Sequence, residues 1–199
     1  WVRETQAQFE PIPVGRRLIV VPSWHREAVA ARDDGRIDLI IDPGLAFGTG
    51  SHPTTRMCLE WLDEADLVGR RLIDYGCGSG ILAIAAARLG AVESIGIDID
   101  PQALQSAAEN ARVNRVALDV RSSSEALPAP ADIVIANILS SPLKLLAPML
   151  GALVAPDGYL VLSGVLERQI AEVADCYDPA LNVRSWRTCD GWACLVGRR

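Results

Sequence analysis

The sequence predicts an α/β fold: a mostly parallel, seven-stranded sheet with helices on both faces and an antiparallel hairpin at its C-terminal end. Three observations carry that expectation. From Arg71 onward, short apolar runs rich in β-branched residues alternate with stretches of helical length. Parallel strands need a crossover over the sheet face, so repeated β-α-β requires a sheet covered on both sides. A glycine-rich turn, Gly76 to Gly80, joins the first of these strands to an Ala-rich helix. Near the C terminus two strand-like runs flank Asp190-Gly191, a dipeptide suited to the left-handed backbone of a tight hairpin.

Element by element, residues 1–15 carry Pro11 and Pro13 and lack a sustained period, so they read as a linker leading into the domain. Leu18–Val21 and Ile37–Ile41 have the length and β-branched content of strands. A glycine-rich turn over Asp42–Gly50 leads to a helix at Pro53–Ala65, with Ser51 or Thr54 as its candidate cap. The alternation then runs through strand Leu72–Tyr75, helix Ile81–Leu89, strand Val92–Ile97 and helix Gln102–Val113, the last capped by Asp100 with Pro101 at its first position. A weak strand at Val116–Val120 precedes strand Ile133–Ile138 and a helix at Pro142–Val154 capped by Ser141. Pro156-Asp157-Gly158 turns the chain into strand Tyr159–Ser163, Glu167–Tyr177 reads as a helix, and Val183–Thr188 with Trp192–Val196 form the hairpin.

Composition narrows the function. Half of the 199 residues are hydrophobic and 22% are charged, the balance of a globular chain with room for one large core. A net charge of −6 and a pI near 4.9 oppose a basic nucleic-acid-binding face, because phosphate neutralisation dominates such affinity. They fit a basic partner instead. The longest apolar run, Ile81–Ala87, is far short of the roughly 20 residues of a membrane span. Five cysteines without a C-x-x-C pair suit neither a disulfide framework nor a zinc site, so a reducing cytoplasm is the expected compartment. The chain starts at Trp1 without the pattern of a signal peptide, and a fragment of a longer protein is expected.

The strongest local signal is Asp74-Tyr75-Gly76-Cys77-Gly78-Ser79-Gly80 at the end of a strand. Glycines there permit positive φ and let backbone N–H groups approach a ligand. A dinucleotide loop reads G-x-G-x-x-G, yet Ile81 stands where its third glycine belongs. The form D-x-G-x-G-x-G is similar to the S-adenosylmethionine (SAM) loop of class I methyltransferases, which makes Asp74, Gly76, Gly78 and Gly80 candidate cofactor residues. Asp98 follows Gly80 by 18 positions, where a carboxylate can accept both hydrogen bonds of a ribose diol; Asp100 reads as a helix cap. Asn137 closes an apolar strand at the edge that lines the ligand crevice in open α/β sheets, and its amide can both accept and donate. Of the two histidines, His52 reads as part of the start of a helix rather than a base, and His25 as surface.

Together, DPGLAFGTGSHPTT (Asp42–Thr55), DYGCGSG, GIDIDP, ANIL and LSGVL (residues 162–166) resemble the PrmA family, methyltransferases of large-subunit ribosomal protein L-eleven, from about Phe9 to Gly197. FGTG followed by HPTT is not general among methyltransferases, and ANIL stands where glutamine and adenine-N6 methyltransferases carry an NPP-aromatic motif. The resemblance implies a Rossmann-like class I methyltransferase fold, with SAM as methyl donor and S-adenosylhomocysteine as product. It places cofactor contacts on Thr55, Gly76, Asp98 and Asn137, and puts Phe47 and Thr49 in a loop near methyl transfer. It implies methylation of lysine ε-amino or N-terminal α-amino groups of a basic ribosomal protein. The family also carries an amino-terminal recognition domain that nothing here matches, so residues 16–199 would be the catalytic domain. A SAM-binding module without efficient catalysis, a methyltransferase for another amine, and an NAD-linked oxidoreductase stay open as alternatives, the last disfavoured by Ile81.

Methyl transfer from a sulfonium to an amine needs positioning and a deprotonated nucleophile. Neither an H-E-x-x-H nor a G-x-S-x-G motif is present. A lysine with pKa near 10.4 costs about 4.6 kcal/mol to deprotonate at pH 7. Orientation supplies about 7 to 11 kcal/mol, so Asn137 and backbone carbonyls holding the amine can outweigh that cost while solvent takes the proton.

Overall fold

The computed structural model describes residues 10–27, 33–42 and 50–199. Its first element, β1 (Ile12–Val14), pairs antiparallel with β2 (Leu18–Val21), which pairs in parallel with β3 (Ile37–Ile40) in a three-stranded sheet. The stretch read as a linker therefore ends in a strand. Pro13 is tolerated because β1 is an edge strand, where a missing N–H breaks no second ladder. Gly15 turns the chain at φ 55, and the N–H groups of Arg16 and Arg17 donate to the buried carboxylate of Asp63, at 2.8 and 2.9 Å.

Asp63 belongs to α1 (Pro53–Glu64), whose N-cap is His52 rather than Ser51 or Thr54. The residue before a proline is pushed into extended backbone, which is the N-cap conformation, and Pro53 sits at the first helical position. The Nδ1 of His52 accepts from the N–H of Thr54 at 3.3 Å.

The large sheet contains β4 (Arg71–Tyr75), β5 (Glu93–Asp98), β6 (Asp119–Ser122), β7 (Ala131–Asn137), β8 (Val154–Leu166), β9 (Arg184–Cys189) and β10 (Trp192–Arg198). Their order is β6-β5-β4-β7-β8-β10-β9, parallel through β8 and antiparallel in the final hairpin, as predicted. Between the strands run α2 (Ile81–Arg88), α3 (Pro101–Asn114), α4 (Ser140–Leu145), α5 (Ala147–Ala152) and α6 (Ile170–Ala174). Period-two alternation divides the core between the two faces. Leu72, Ile133 and Ile135 pack with Leu59, Leu62 and Ile84 on one side; Ile73, Val134 and Leu160 pack with Leu143, Leu150 and Val173 on the other.

Four boundaries differ from expectation, each for a local reason. The helix expected over Pro142–Val154 with Ser141 as cap is two helices, α4 starting at Ser140 after Leu139 and α5 after a break at Leu146. Pro148 has no N–H to continue the ladder and is accepted only in a first turn. The helix expected over Glu167–Tyr177 is a 3-10 turn followed by α6, closed by the N–H of Cys176 on Val173 and of Tyr177 on Ala174. The expected strand Tyr159–Ser163 is part of the 13-residue β8, because Asp157 at φ 62 carries the turn residues as an irregularity inside it. β6 starts later than Val116, whose N–H closes α3 on Ala111 after Arg115 turns left-handed at φ 57. The hairpin turns at Asp190 (φ 51) and Gly191 (φ 79), as that dipeptide predicts. Among the described residues no helix is long and apolar enough to cross a membrane.

Candidate active site at the carboxyl edge of the sheet

The strand order reverses between β4 and β7: the chain moves one way to β5 and β6, then returns to build β7 and β8 on the other side. Helices on opposite faces leave a gap at such a switch point, outside the carboxyl ends of the strands. Here that gap is a crevice of about 810 Å³, within the range of small-molecule sites. The loop after β4, the ends of β5 and β7, and the first turn of α1 form its walls.

In the loop, Gly76, Gly78 and Gly80 have φ of 77, 52 and 78°, the left-handed range that glycine enters at no steric cost. A Cβ on Gly76 would fall 2.4 Å from Cγ2 of Ile138, so this glycine also permits the close approach of the β7 end. Gly76 and Gly78 line the crevice; Gly80 does not, and faces Ala107 of α3. The backbone donors are used within the protein. The N–H groups of Gly76 and Cys77 bond the carbonyl of Ile97 at 2.7 and 3.0 Å, and that of Gly78 bonds Oδ2 of Asp98 at 2.9 Å. The loop thus shapes the crevice by lacking side chains and orients Asp98. Oδ1 of Asp98 accepts from the N–H of Asp100 at 3.0 Å, leaving lone pairs on a fixed carboxylate in the crevice wall. Asp100 caps α3 through Gln102 N–H at 2.9 Å, as expected.

Asp74 lies beneath this wall, outside the crevice lining. Its Oδ2 accepts from Ala83 N–H at 3.3 Å, and its Oδ1 has no partner among the described residues. Burial raises its pKa to about 7, opposed by the Ala83 bond and assisted by the charge on Asp98. The unfolded value is near 3.9, so between about pH 4 and pH 7 the folded state holds a proton that the unfolded state has lost. Stability from this group therefore falls as pH rises through that window. In urea titrations at pH 5 and pH 8, Asp74→Asn is expected to lose less stability than the parent, by roughly 2 to 4 kcal/mol at 1.36 kcal/mol per pKa unit. Equal losses would mean that Asp74 is ionised in both states.

Asn137 sits at the crevice end of β7, as its place in the sequence predicts. Its Nδ2 donates to the hydroxyl of buried Thr55 at 3.1 Å, while its buried Oδ1 has no partner among the described residues. A buried acceptor without a donor calls for one from a ligand. Gly164 of β8 closes the same corner: its φ is 85°, and a Cβ there would fall 2.1 Å from the carbonyl oxygen of Ile138.

The structure adds residues to this site that sequence reasoning left out. Trp192 of β10 packs edge-on against His52 in the crevice wall, ring centroids 5.2 Å apart. The two are far apart in the chain, and only the pairing of β10 beside β8 brings them together. Cys77 lines the crevice with its thiol pKa pushed up by burial and by Asp74 and Asp98. Ile99 and Leu139 are exposed apolar lips at 83% and 67%. Phe47 and Thr49 lie outside the described residues.

The family model described as ribosomal protein L11 methyltransferase (PrmA) matches residues 1–199. The ribosomal protein L11 methyltransferase of Bordetella parapertussis is 60% identical over 206 residues, an alignment covering 99% of this chain and 66% of that protein. The chain thus spans just under two thirds of that relative's length. A ribosomal protein L11 methylase from Lactobacillus delbrueckii subsp. bulgaricus superposes with a TM-score of 0.80 at 29% identity, over 96% of this chain and 100% of that one. An RNA methyltransferase from Salinibacter ruber, solved with S-adenosyl-L-homocysteine, superposes with a TM-score of 0.56 at 26% identity, over 74% and 93% of the two chains.

Proposed function

Because the chain belongs to the ribosomal protein L11 methyltransferase family, we propose that it transfers methyl groups from SAM to amines of ribosomal protein L11, lysine ε-amino and N-terminal α-amino groups among them. The observation that carries this reading is the orphaned Oδ1 of Asn137, buried at a switch-point crevice whose opposite wall presents a fixed carboxylate. The residues present fit such a cofactor. Asp98 would accept the hydroxyls of a ribose, Ile81, Leu82, Ile99 and Ala103 offer apolar surface to a flat base, and Gly76 leaves backbone exposed where a side chain would obstruct. When bound, SAM supplies a methyl group on positively charged sulfur.

The remaining work falls to this chain's own residues. Thr55 holds the Asn137 amide, whose Oδ1 accepts an N–H from the amine and points its lone pair toward the methyl donor. Apolar neighbours such as Leu139 disfavour the ammonium form, and solvent takes its proton. The −6 charge suits a basic protein target, read in the cytoplasm where ribosomes are assembled. Residues 16–199 are the catalytic unit in this reading.

Transfer of labelled methyl to purified ribosomal protein L11 tests it. SAM binding without incorporation would instead favour a binding module. Asp98→Ala is expected to weaken SAM about 10- to 100-fold by calorimetry with the fold intact, the scale of about 1.5 to 3 kcal/mol for bonds to a charged group. Unchanged affinity would remove Asp98 from the ribose position.

A further inference from the structure

A second cavity, of about 310 Å³, opens at the amino-terminal end of the parallel strands between Trp61, Tyr159 and Trp186. The chain satisfies its chemistry internally. Arg70 reaches Asp132 at 3.4 Å, Arg187 reaches Glu64 at 3.1 Å, and Arg187 and Arg198 lie over the rings of Trp186 and Tyr159 at 4.1 and 5.4 Å. The rim of the crevice is different, because its apolar side chains face solvent.

α4 forms part of that rim. At 100° per residue from the buried Leu143, the side chains of Leu139, Pro142 and Leu146 share an arc of about 60°, and Leu145 follows about 60° further round. The first three line the crevice. Leu139 is 67% exposed and Leu145 81%, with Pro142 exposed between them. The one charged residue of the helix, Lys144, turns to the other side and pairs with Glu172 of α6. An uncharged apolar arc of about 120° ordinarily faces a core. Here the core side is already occupied, by Leu143 packing with Ala147 and Leu150. α4 therefore presents apolar surface twice, once to protein and once to water.

The start of the helix points the same way. Its N-cap is Leu139, which offers no acceptor to the first turn, at a position that Ser, Thr, Asp or Asn ordinarily takes. A local rule given up at the edge of a site is expected where the side chain serves the site. Val68 and Val92 are exposed too, but line neither cavity, and scattered surface hydrophobics of that kind need no partner.

The reach of an amine sets what lies over this rim. Leu139 is two residues from Asn137, hence within about 7 Å of it. A lysine whose ε-amine meets Asn137 keeps its own backbone about 6 Å back, the length of its four-carbon stem, and so beside Leu139. From Leu139 to Leu145 is about 9 Å along the helix axis, which an extended polypeptide covers in about three residues.

We infer that α4 is a docking surface for the protein substrate: the arc from Leu139 to Leu145 seats apolar side chains of ribosomal protein L11 within about three residues of the amine received by Asn137. The inference rests on the proposed methyl transfer and deepens it by stating which sequence context the crevice accepts. Selection among amines then comes from apolar area removed from water beside the reacting centre.

Two ten-residue peptides test it, each with one central lysine and a fluorescent label at one end. One carries leucines at the two positions on either side of the lysine, the other glutamines. In anisotropy titrations with S-adenosylhomocysteine present, the leucine peptide is expected to bind about tenfold more tightly. Leu145→Gln changes a side chain already in water, so the fold stays intact. It should cut that preference about fivefold and leave the affinity for the glutamine peptide and for S-adenosylhomocysteine unchanged. In kinetics the same variant is expected to raise KM for ribosomal protein L11 about fivefold with kcat unchanged, the mark of binding lost equally from ground and transition states. Equal affinity for the two peptides, or a preference that survives Leu145→Gln, would overturn the docking surface. So would self-association of the parent chain that Leu145→Gln abolishes in sedimentation, because a second copy would then be the occupant. If the parent transfers methyl to neither peptide nor to ribosomal protein L11 yet keeps the leucine preference, the functional reading fails and the docking surface stands.

Discussion

Asn137→Ala is expected to lower kcat on ribosomal protein L11 by about 100- to 1,000-fold, a loss larger than any accompanying loss of SAM affinity. The amide sits where the end of β7 meets the first turn of α1, and Thr55 holds its orientation through a bond of 3.1 Å. Its Oδ1 is buried and has no donor among the described residues, so the desolvation cost of the acceptor is met in folding rather than on substrate binding. In the proposed reaction, removing it would leave the amine free to rotate away from the methyl donor, and misplacement of about 1 Å costs on the order of 100-fold. Thr55→Val should give a smaller loss, because Asn137 keeps its acceptor but not its anchor. Single-turnover methylation with saturating SAM separates this from a binding defect. Full turnover in Asn137→Ala, with SAM bound normally, would remove Asn137 from the reaction.

Gly164→Ala is expected to damage both stability and cofactor binding. Two costs coincide there: φ of 85°, and a Cβ that would stand 2.1 Å from the carbonyl oxygen of Ile138. That atom is backbone, so it cannot swing away like a flexible side chain. The β7 end must move, carrying Ile138 and Leu139 toward or away from the crevice that they line. Gly69→Ala serves as the control, since Gly69 has φ of 72° but open space around its Cβ position. It should cost about 1 kcal/mol, the backbone contribution alone. Gly164→Ala should cost about 3 kcal/mol or more, lowering Tm by roughly 6 to 12 °C for a chain of this size, and should weaken SAM at least tenfold. If the two variants melted alike and bound SAM alike, the close approach of β8 to Ile138 would have no part in forming the crevice.

Much of the fold could be read along the chain because its signals are local. The uninterrupted apolar run Ile133–Ala136 marks a strand covered on both faces, and the structure sends Ile133 and Ile135 to one side and Val134 and Ala136 to the other. Asp100-Pro101 and Asp190-Gly191 mark a helix start and a hairpin through the backbone angles that those residues favour. Misplaced boundaries had local causes of a subtler kind. Pro53 moves the cap of α1 to His52, and Pro148 splits α4 from α5, because one proline constrains its predecessor and the other lacks a donor.

The candidate site was legible only in part. Asp98 and Asn137 stand at strand ends, so a topological rule brings them to one edge of the sheet before any coordinate is known. The roles of the loop members were not legible. Asp74, Gly76, Gly78 and Gly80 share one motif, yet Asp74 lies buried beneath α2, Gly80 faces α3, and only Gly76 and Gly78 reach the crevice. Trp192 and the second cavity gave no signal, and Gly164 stood in the motif LSGVL without a role, since each depends on contacts between segments far apart in sequence.

By itself, then, the sequence determined the order of strands and helices, the glycine turn and the edge at which chemistry could occur, because hydrophobic period and backbone preference act over a few residues. Only the tertiary structure decided which polar atoms are left without partners, which faces become walls and where a second cavity forms. Those properties belong to burial, and burial is set by every segment at once.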